Sequence, residues 1–252
     1  MMLKNFKKQV LMISSVVCAL GLVGCSNKAV PQSSETTVVA ENKENNESSK
    51  ALEKAIDAVA FSYVKSQLAE TNPKATPGAQ IVVLKDGKIV FKKSYGTIQA
   101  FDFSKNPAEK IENPSAVTDE TLFDLASVTK ISATTQVFMH LVYEGKVKLE
   151  DKVLYDEQTL ELFLKDVFKT KSGSIQSYGY LKNASWMQAL SDDALGHNGF
   201  TGTYVTISPK NKIVVILLTN KMNSGQGEKD YYNNTHDFAE AVNYAVHNEY
   251  LK

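Results

Sequence analysis

Apolar residues recur at helical spacing in four stretches of the chain and at strand spacing in four others. Leu52, Ile56, Val59, Ala60, Tyr63 and Val64 fall on one face of a helix over residues 51–69, and Pro73 and Pro77 end it. Residues 79–84 and 89–91 are apolar and rich in β-branched side chains, with Asp86-Gly87 between them. That dipeptide is a two-residue hairpin signal, because Asp and Gly tolerate the left-handed backbone such turns need. Ile131, Thr134, Phe138, Leu141 and Val142 predict a helix over residues 127–143, stopped by Gly145. Residues 158–169 read as another amphipathic helix. A second hairpin joins residues 204–207 to 213–218 around Pro209-Lys210-Asn211, and the unbroken apolar run 213–218 suits a strand buried on both faces. A helix over residues 235–247 buries Phe238, Ala241, Val242 and Ala245. Residues 97–120 read as a loop. The order helix, hairpin, helices, hairpin, helix predicts an α+β fold with an antiparallel sheet, not alternating βαβ units.

The first 50 residues follow neither period. Lys4, Lys7 and Lys8 precede a nearly apolar run over residues 10–23, too short to cross a bilayer and right for the core of a signal peptide. The run ends in Leu22-Val23-Gly24-Cys25, which resembles a bacterial lipobox. That resemblance implies a signal peptide over residues 1–24 and a lipid on the Cys25 thiol, which would hold the protein at a membrane surface on the periplasmic or external side. An ordinary signal peptide with a chance Cys is the other reading. Residues 25–50 then form a tether rich in Ser, Glu, Asn and Lys, too poor in apolar side chains to offset the entropy of ordering. The globular domain is expected over residues 51–252.

Composition narrows the classes. The chain has 252 residues, 28 Lys+Arg and 28 Asp+Glu, and all of the bases are Lys. A hydrophobic content of 43% excludes a disordered chain, and the balanced charge without Arg argues against nucleic acid as a partner. Cys18 and Cys25 cannot form a disulfide scaffold or a Cys-rich zinc site. No second His lies at helical spacing from His140, His236 or His247, so no metal is expected. Asp192-Asp193 read as solvated, and Tyr231-Tyr232-Asn233-Asn234 as a loop before the last helix.

The strongest chemical signal is Ser127-Val128-Thr129-Lys130 at the start of the second helix. Residues three apart share a helical face, so hydroxyl and amine can meet. Backbone N–H groups at a helix start can stabilise negative charge on a bound carbonyl oxygen. A Lys desolvated by burial could accept the Ser proton. Taken alone, the spacing is more simply a Ser N-cap and a solvated Lys, since Ser-x-x-Lys occurs by chance in many chains.

The segment Thr121-Leu122-Phe123-Asp124-Leu125-Ala126-Ser127-Val128-Thr129-Lys130 closely resembles the nucleophile segment of the serine β-lactamase and penicillin-binding-protein family, in its class C and esterase branch. Residues 141–151 and Pro77-Gly78-Ala79 resemble it too. Gly196-His197-Asn198-Gly199-Phe200-Thr201-Gly202-Thr203 resembles the family's third motif in its His-x-Gly form, and Leu217-Leu218-Thr219-Asn220 its next strand. The resemblance implies that Ser127 is the nucleophile and Lys130 its proton partner. It implies that His197 offers a polar or cationic group to substrate, that Gly199 lets substrate approach the backbone, and that the N–H groups of Ser127 and Phe200 form an oxyanion hole. It implies no cofactor, and a small-molecule or peptide substrate with a reactive ester, amide or β-lactam carbonyl. Oligomeric state stays open.

One family feature has no counterpart. A Tyr-x-Asn or Ser-x-Asn motif normally lies in a long, mostly helical stretch between the Ser helix and the third motif. Here Lys130 and His197 are only 67 positions apart, and no such motif lies between them. The resemblance pauses near Val153 to Gln158, so most of the helical subdomain is expected to be missing there, natural or spliced. One pocket wall would go with it, leaving an apolar patch on the Ser127 helix. A catalytically impaired member that binds cell-wall peptide or a protein partner is the alternative to an active hydrolase.

Overall fold

A computed structural model describes residues 43–64, 75–106, 108–144, 163–171, 173–224 and 234–251. Cys25, the leader, the first part of the tether, residues 153–158 and Tyr231 to Asn233 lie outside the described residues.

Among the described residues, helix α1 (Lys43–Tyr63) comes first, then the hairpin β1 (Gly78–Lys85) and β2 (Lys88–Gly96), followed by the short pair β3 (Phe101–Asp102) and β4 (Glu109–Lys110). A 3-10 turn (Ala126–Val128) and a π-helical turn (Lys130–Thr134) lead into α2 (Thr135–Tyr143). Three two-residue strands come next, β5 (Phe168–Lys169), β6 (Ile175–Gln176) and β7 (Leu181–Lys182), then the one-turn helix α3 (Ser185–Gln188). Strands β8 (Leu195–Asn198), β9 (Tyr204–Ser208) and β10 (Ile213–Thr219), a 3-10 turn (Lys221–Ser224) and helix α4 (His236–Tyr250) follow. Among the described residues, eight strands form one sheet in the order β2-β1-β10-β9-β8-β7-β6-β5, with antiparallel neighbours throughout. This is the α+β architecture that the hydrophobic pattern predicts.

The sheet separates two apolar clusters. On one face Ile81, Val83, Ile213, Val215 and Leu217 pack against Leu52, Ile56 and Ala60 of α1 and Phe238, Val242 and Val246 of α4. On the other, Val82, Leu84, Val214, Ile216 and Leu218 pack against Val128, Ile131 and Met139 of the Ser127 segment. β10 supplies both clusters by strand alternation, and all seven of its residues are buried. Burying each such side chain contributes about 1.5–3 kcal/mol, which holds helices to both faces.

Four local expectations change. α1 starts at Lys43, inside the stretch read as tether, although its apolar face starts only at Leu52. Its first turns are Lys-, Glu- and Asn-rich, polar residues that extend a helix without marking it in the hydrophobic pattern. Residues 97–120 include the β3–β4 pair. Residues 158–169 do not end as a helix, because Phe168 and Lys169 pair with Gln176 and Ile175 across a turn containing Gly173. The buried face of the Ser127 helix is also shifted. Thr135 and Met139 face the sheet, while Thr134 is exposed and Phe138 is 46% exposed. The π turn inserts an extra residue into the helical repeat, moving the inward face on by one position.

Candidate active site

The Ser127 segment enters its turn under strain. Ala126 has φ +45°, a left-handed conformation that a Cβ disfavours. The Ala126 N–H donates to Asp124 Oδ1 at 2.8 Å, and the Val128 N–H donates to the Leu125 carbonyl at 3.0 Å. Ser127 is half-buried at this corner. Lys130 lies one turn on, and its Nζ is 2.5 Å from Ser127 Oγ. Ser and Lys therefore meet as their spacing predicts. The burial expected around Lys130 is absent among the described residues, for its side chain is exposed.

The strand opposite is β8. His197 is half-buried, and its Nδ1 is 2.8 Å from the Asn198 carbonyl oxygen. With Nδ1 donating to that carbonyl, Nε2 is left as the acceptor. Burial pushes the imidazole pKa below its ordinary value, the Asn198 carbonyl opposes this, and the nearby Lys130 charge lowers it further. His197 thus stands beside Lys130 as a neutral ring rather than a cation at pH 7.

Gly199 follows at the strand end. A Cβ there would sit 2.5 Å from the Leu125 carbonyl oxygen and 3.2 Å from Ala126 Cβ. The space that Gly199 leaves is filled by Thr203 Oγ1 and the turn just before Ser127, so the missing side chain makes room for the protein's own backbone and not, as expected, for substrate. Phe200 is next, 65% exposed, with Lys221 Nζ 5.1 Å from its ring centroid. Burial lowers the Lys221 pKa, and burial followed by the Lys221 charge lowers that of His236.

Two residues of this motif carry contacts that the sequence reading did not single out. Thr201 Oγ1 donates to the Asp124 carbonyl at 2.6 Å, and Thr203 Oγ1 to the Leu125 carbonyl at 2.9 Å. Nothing local in the sequence marks them, since each bond spans more than 75 residues of chain. Asn220 works at the same end of the sheet. Its Oδ1 accepts from the Gly78 N–H at 2.8 Å, and its Nδ2 donates to the carbonyls of Thr97 and Ile98.

Of the pair read as solvated, Asp193 is held by the fold and only Asp192 faces solvent. Asp193 accepts hydrogen bonds from Ser191, Ser208 and the Lys210 N–H, closing the β9–β10 end, while Asp192 is exposed. Tyr178 is exposed, 6.1 Å from the Phe163 ring. Among the described residues no group of three or more His, Cys, Asp or Glu could hold a metal, and no helix is long and apolar enough to cross a membrane. On α2, Val137 and Phe138 are 57% and 46% exposed, the apolar patch expected beside the Ser helix.

An antiparallel sheet with helices on both faces, and a Ser-x-x-Lys turn packed on a His-x-Gly strand, defines a class of α+β domain. Comparison with known proteins gives it a family. The Beta-lactamase family matches residues 65–171 and 156–238, and this chain belongs to that family. Over 77 residues the chain is 40% identical to an N-acetylmuramyl-L-alanine amidase of Bacillus subtilis (strain 168). Over the same length it is 38% identical to putative D-alanyl-D-alanine carboxypeptidases of Salmonella paratyphi B and Salmonella newport. Each match spans 31% of this chain and 17% of the relative. No solved structure matches.

Proposed function

We infer that the chain is a lipid-anchored serine hydrolase that forms an acyl-enzyme on Ser127. The observation that carries this reading is the 2.5 Å contact between Lys130 Nζ and Ser127 Oγ, made at a strained corner facing β8. In the acylation step Ser127 Oγ attacks the substrate carbonyl carbon, and the hydroxyl proton passes to the amine form of Lys130. Backbone N–H groups of Ser127 and Phe200 receive the developing oxyanion. The leaving group takes a proton as its bond to carbon breaks, and water later releases the acyl group. His197, as a neutral ring, offers the substrate a hydrogen-bond acceptor at Nε2, and no cofactor enters the scheme. The substrate is an ester, amide or β-lactam carbonyl. The relatives' names refer to alanine amide and peptide bonds, which favours a cell-wall peptide within that set.

Treating wild type and Ser127→Ala with fluorescent penicillin and an organophosphonate tests this. A covalent label that requires Ser127 is expected, and a folded wild-type protein that takes no label would sink the proposal. The anchor on the outer face of a membrane is tested separately. Cys25→Ser should move the protein from the membrane fraction to the soluble fraction, whereas unchanged fractionation would remove the lipid from the account.

A second reading rests on the absence of Tyr-x-Asn between Lys130 and His197 and on the exposure of Lys130. In it the chain is catalytically impaired and binds cell-wall peptide or a protein partner. Saturable binding to peptidoglycan without any label on Ser127 would favour it.

A further inference from the structure

The β8–β9 turn and the corner before Ser127 are joined more tightly than a substrate site alone requires. Gly199 N–H donates to the Thr203 carbonyl at 2.7 Å and Gly202 N–H to the Gly199 carbonyl at 3.0 Å, so residues 199–203 form one closed turn. Thr219 Oγ1 on β10 donates to the Gly202 carbonyl at 2.9 Å and fixes that turn from the side of the sheet. From the other side, Thr201 and Thr203 hold the carbonyls of Asp124 and Leu125, and Gly199 seats Leu125 and Ala126 against its missing side chain. The residue released from this grip is Ala126, with its positive φ, and the next is Ser127. A strained corner persists only where its surroundings over-determine it, and these contacts come from a segment more than 70 residues away.

We propose that Thr201 and Thr203 are positioning residues, clamping the Asp124–Leu125 carbonyls so that Ser127 and the Phe200 N–H are held in one fixed register. The two oxyanion donors lie on opposite sides of this clamp, one on the Ser turn and one between Gly199 and Thr201. A shift of either side would separate them. This deepens the acyl-enzyme reading and rests on it.

Thr203 is fully buried and Thr201 is 9% exposed, so Val fits either site by shape while removing the donor. The Leu125 carbonyl also accepts the Val128 N–H, so Thr203→Val leaves it one partner. Rates of Ser127 labelling by an organophosphonate, per folded molecule, are compared for wild type, Thr201→Val, Thr203→Val and Thr203→Ser. Misplacement near 1 Å costs about a hundredfold, so a loss of roughly tenfold to a hundredfold is expected for each Val variant. Thr203→Ser, which restores the donor, should recover most of the rate. Folded Val variants that label at the wild-type rate would overturn the proposal, as would a loss that disappears once the folded fraction is taken into account. If Thr203→Val does not fold, Thr201→Val decides. If wild type takes no label, the acyl-enzyme reading fails, and hydrogen exchange at the Ser127 and Phe200 amides tests the clamp instead. Faster exchange in the Val variants supports it, and unchanged exchange overturns it.

Discussion

Gly199 and Leu125 are in contact across the site, with the Leu125 carbonyl oxygen only 2.5 Å from where a Gly199 Cβ would stand. Backbone on both sides leaves little room to yield. Gly199→Ala should therefore destabilise the fold by about 1–3 kcal/mol. It should also slow Ser127 labelling in the molecules that remain folded, because relief of the clash moves the corner at Ala126. Denaturant unfolding paired with labelling rates checks both effects.

Asn220 ties the ends of β1 and β10 to the loop at Thr97 and Ile98. Removing its side chain leaves the Gly78 N–H and two carbonyls without this partner. At about 1 kcal/mol per hydrogen bond, Asn220→Ala should cost roughly 2–3 kcal/mol. Urea midpoints of wild type and variant test this, and a change below half a kcal/mol would contradict it.

The pH response follows from His197. Its pKa in the folded protein lies below 6.5, the value for an unperturbed imidazole. Between the two values the unfolded chain binds the proton and the folded chain does not, so stability rises with pH across that window. The contribution is fully present above 6.5 and is lost as pH falls from 6.5 toward the folded value. His236 is shifted in the same direction and adds to the slope. Thermal melts from pH 7.5 to 5 should show His197→Gln losing less stability than wild type on acidification. Parallel curves would refute the assignment.

The apolar residues Val137 and Phe138 face outward on α2 and make little core. Phe138→Lys should change folding stability by less than about 0.5 kcal/mol and reduce self-association. Light scattering beside a thermal melt measures the two separately.

Much of this fold is legible in the sequence wherever periodicity and turn chemistry agree. Asp86-Gly87 and Pro209-Lys210-Asn211 mark both hairpin turns, and the run 213–218 marks the strand buried on both faces. Ser127 and Lys130 meet because i and i+3 meet on a helix, a local rule. The differences have three physical causes. The polar first turns of α1 extend a helix without an apolar stripe to mark it. Two-residue strands such as β5 carry no resolvable period, and the π turn at Lys130–Thr134 shifts the helix face without leaving a mark in the pattern. The Thr201 and Thr203 contacts were beyond reach, because a hydroxyl that meets a carbonyl 77 or 78 positions away has no local signature.

An acyl-enzyme requires that Ser127 be a working nucleophile. Intact-mass spectrometry after exposure to an organophosphonate, with peptide mapping of the adduct, measures that directly. One adduct per chain on Ser127, lost in Ser127→Ala and slowed by at least about a hundredfold in Lys130→Met, is the predicted result. A cooperatively folding protein that stays unmodified, or one modified elsewhere with Ser127 untouched, would contradict it.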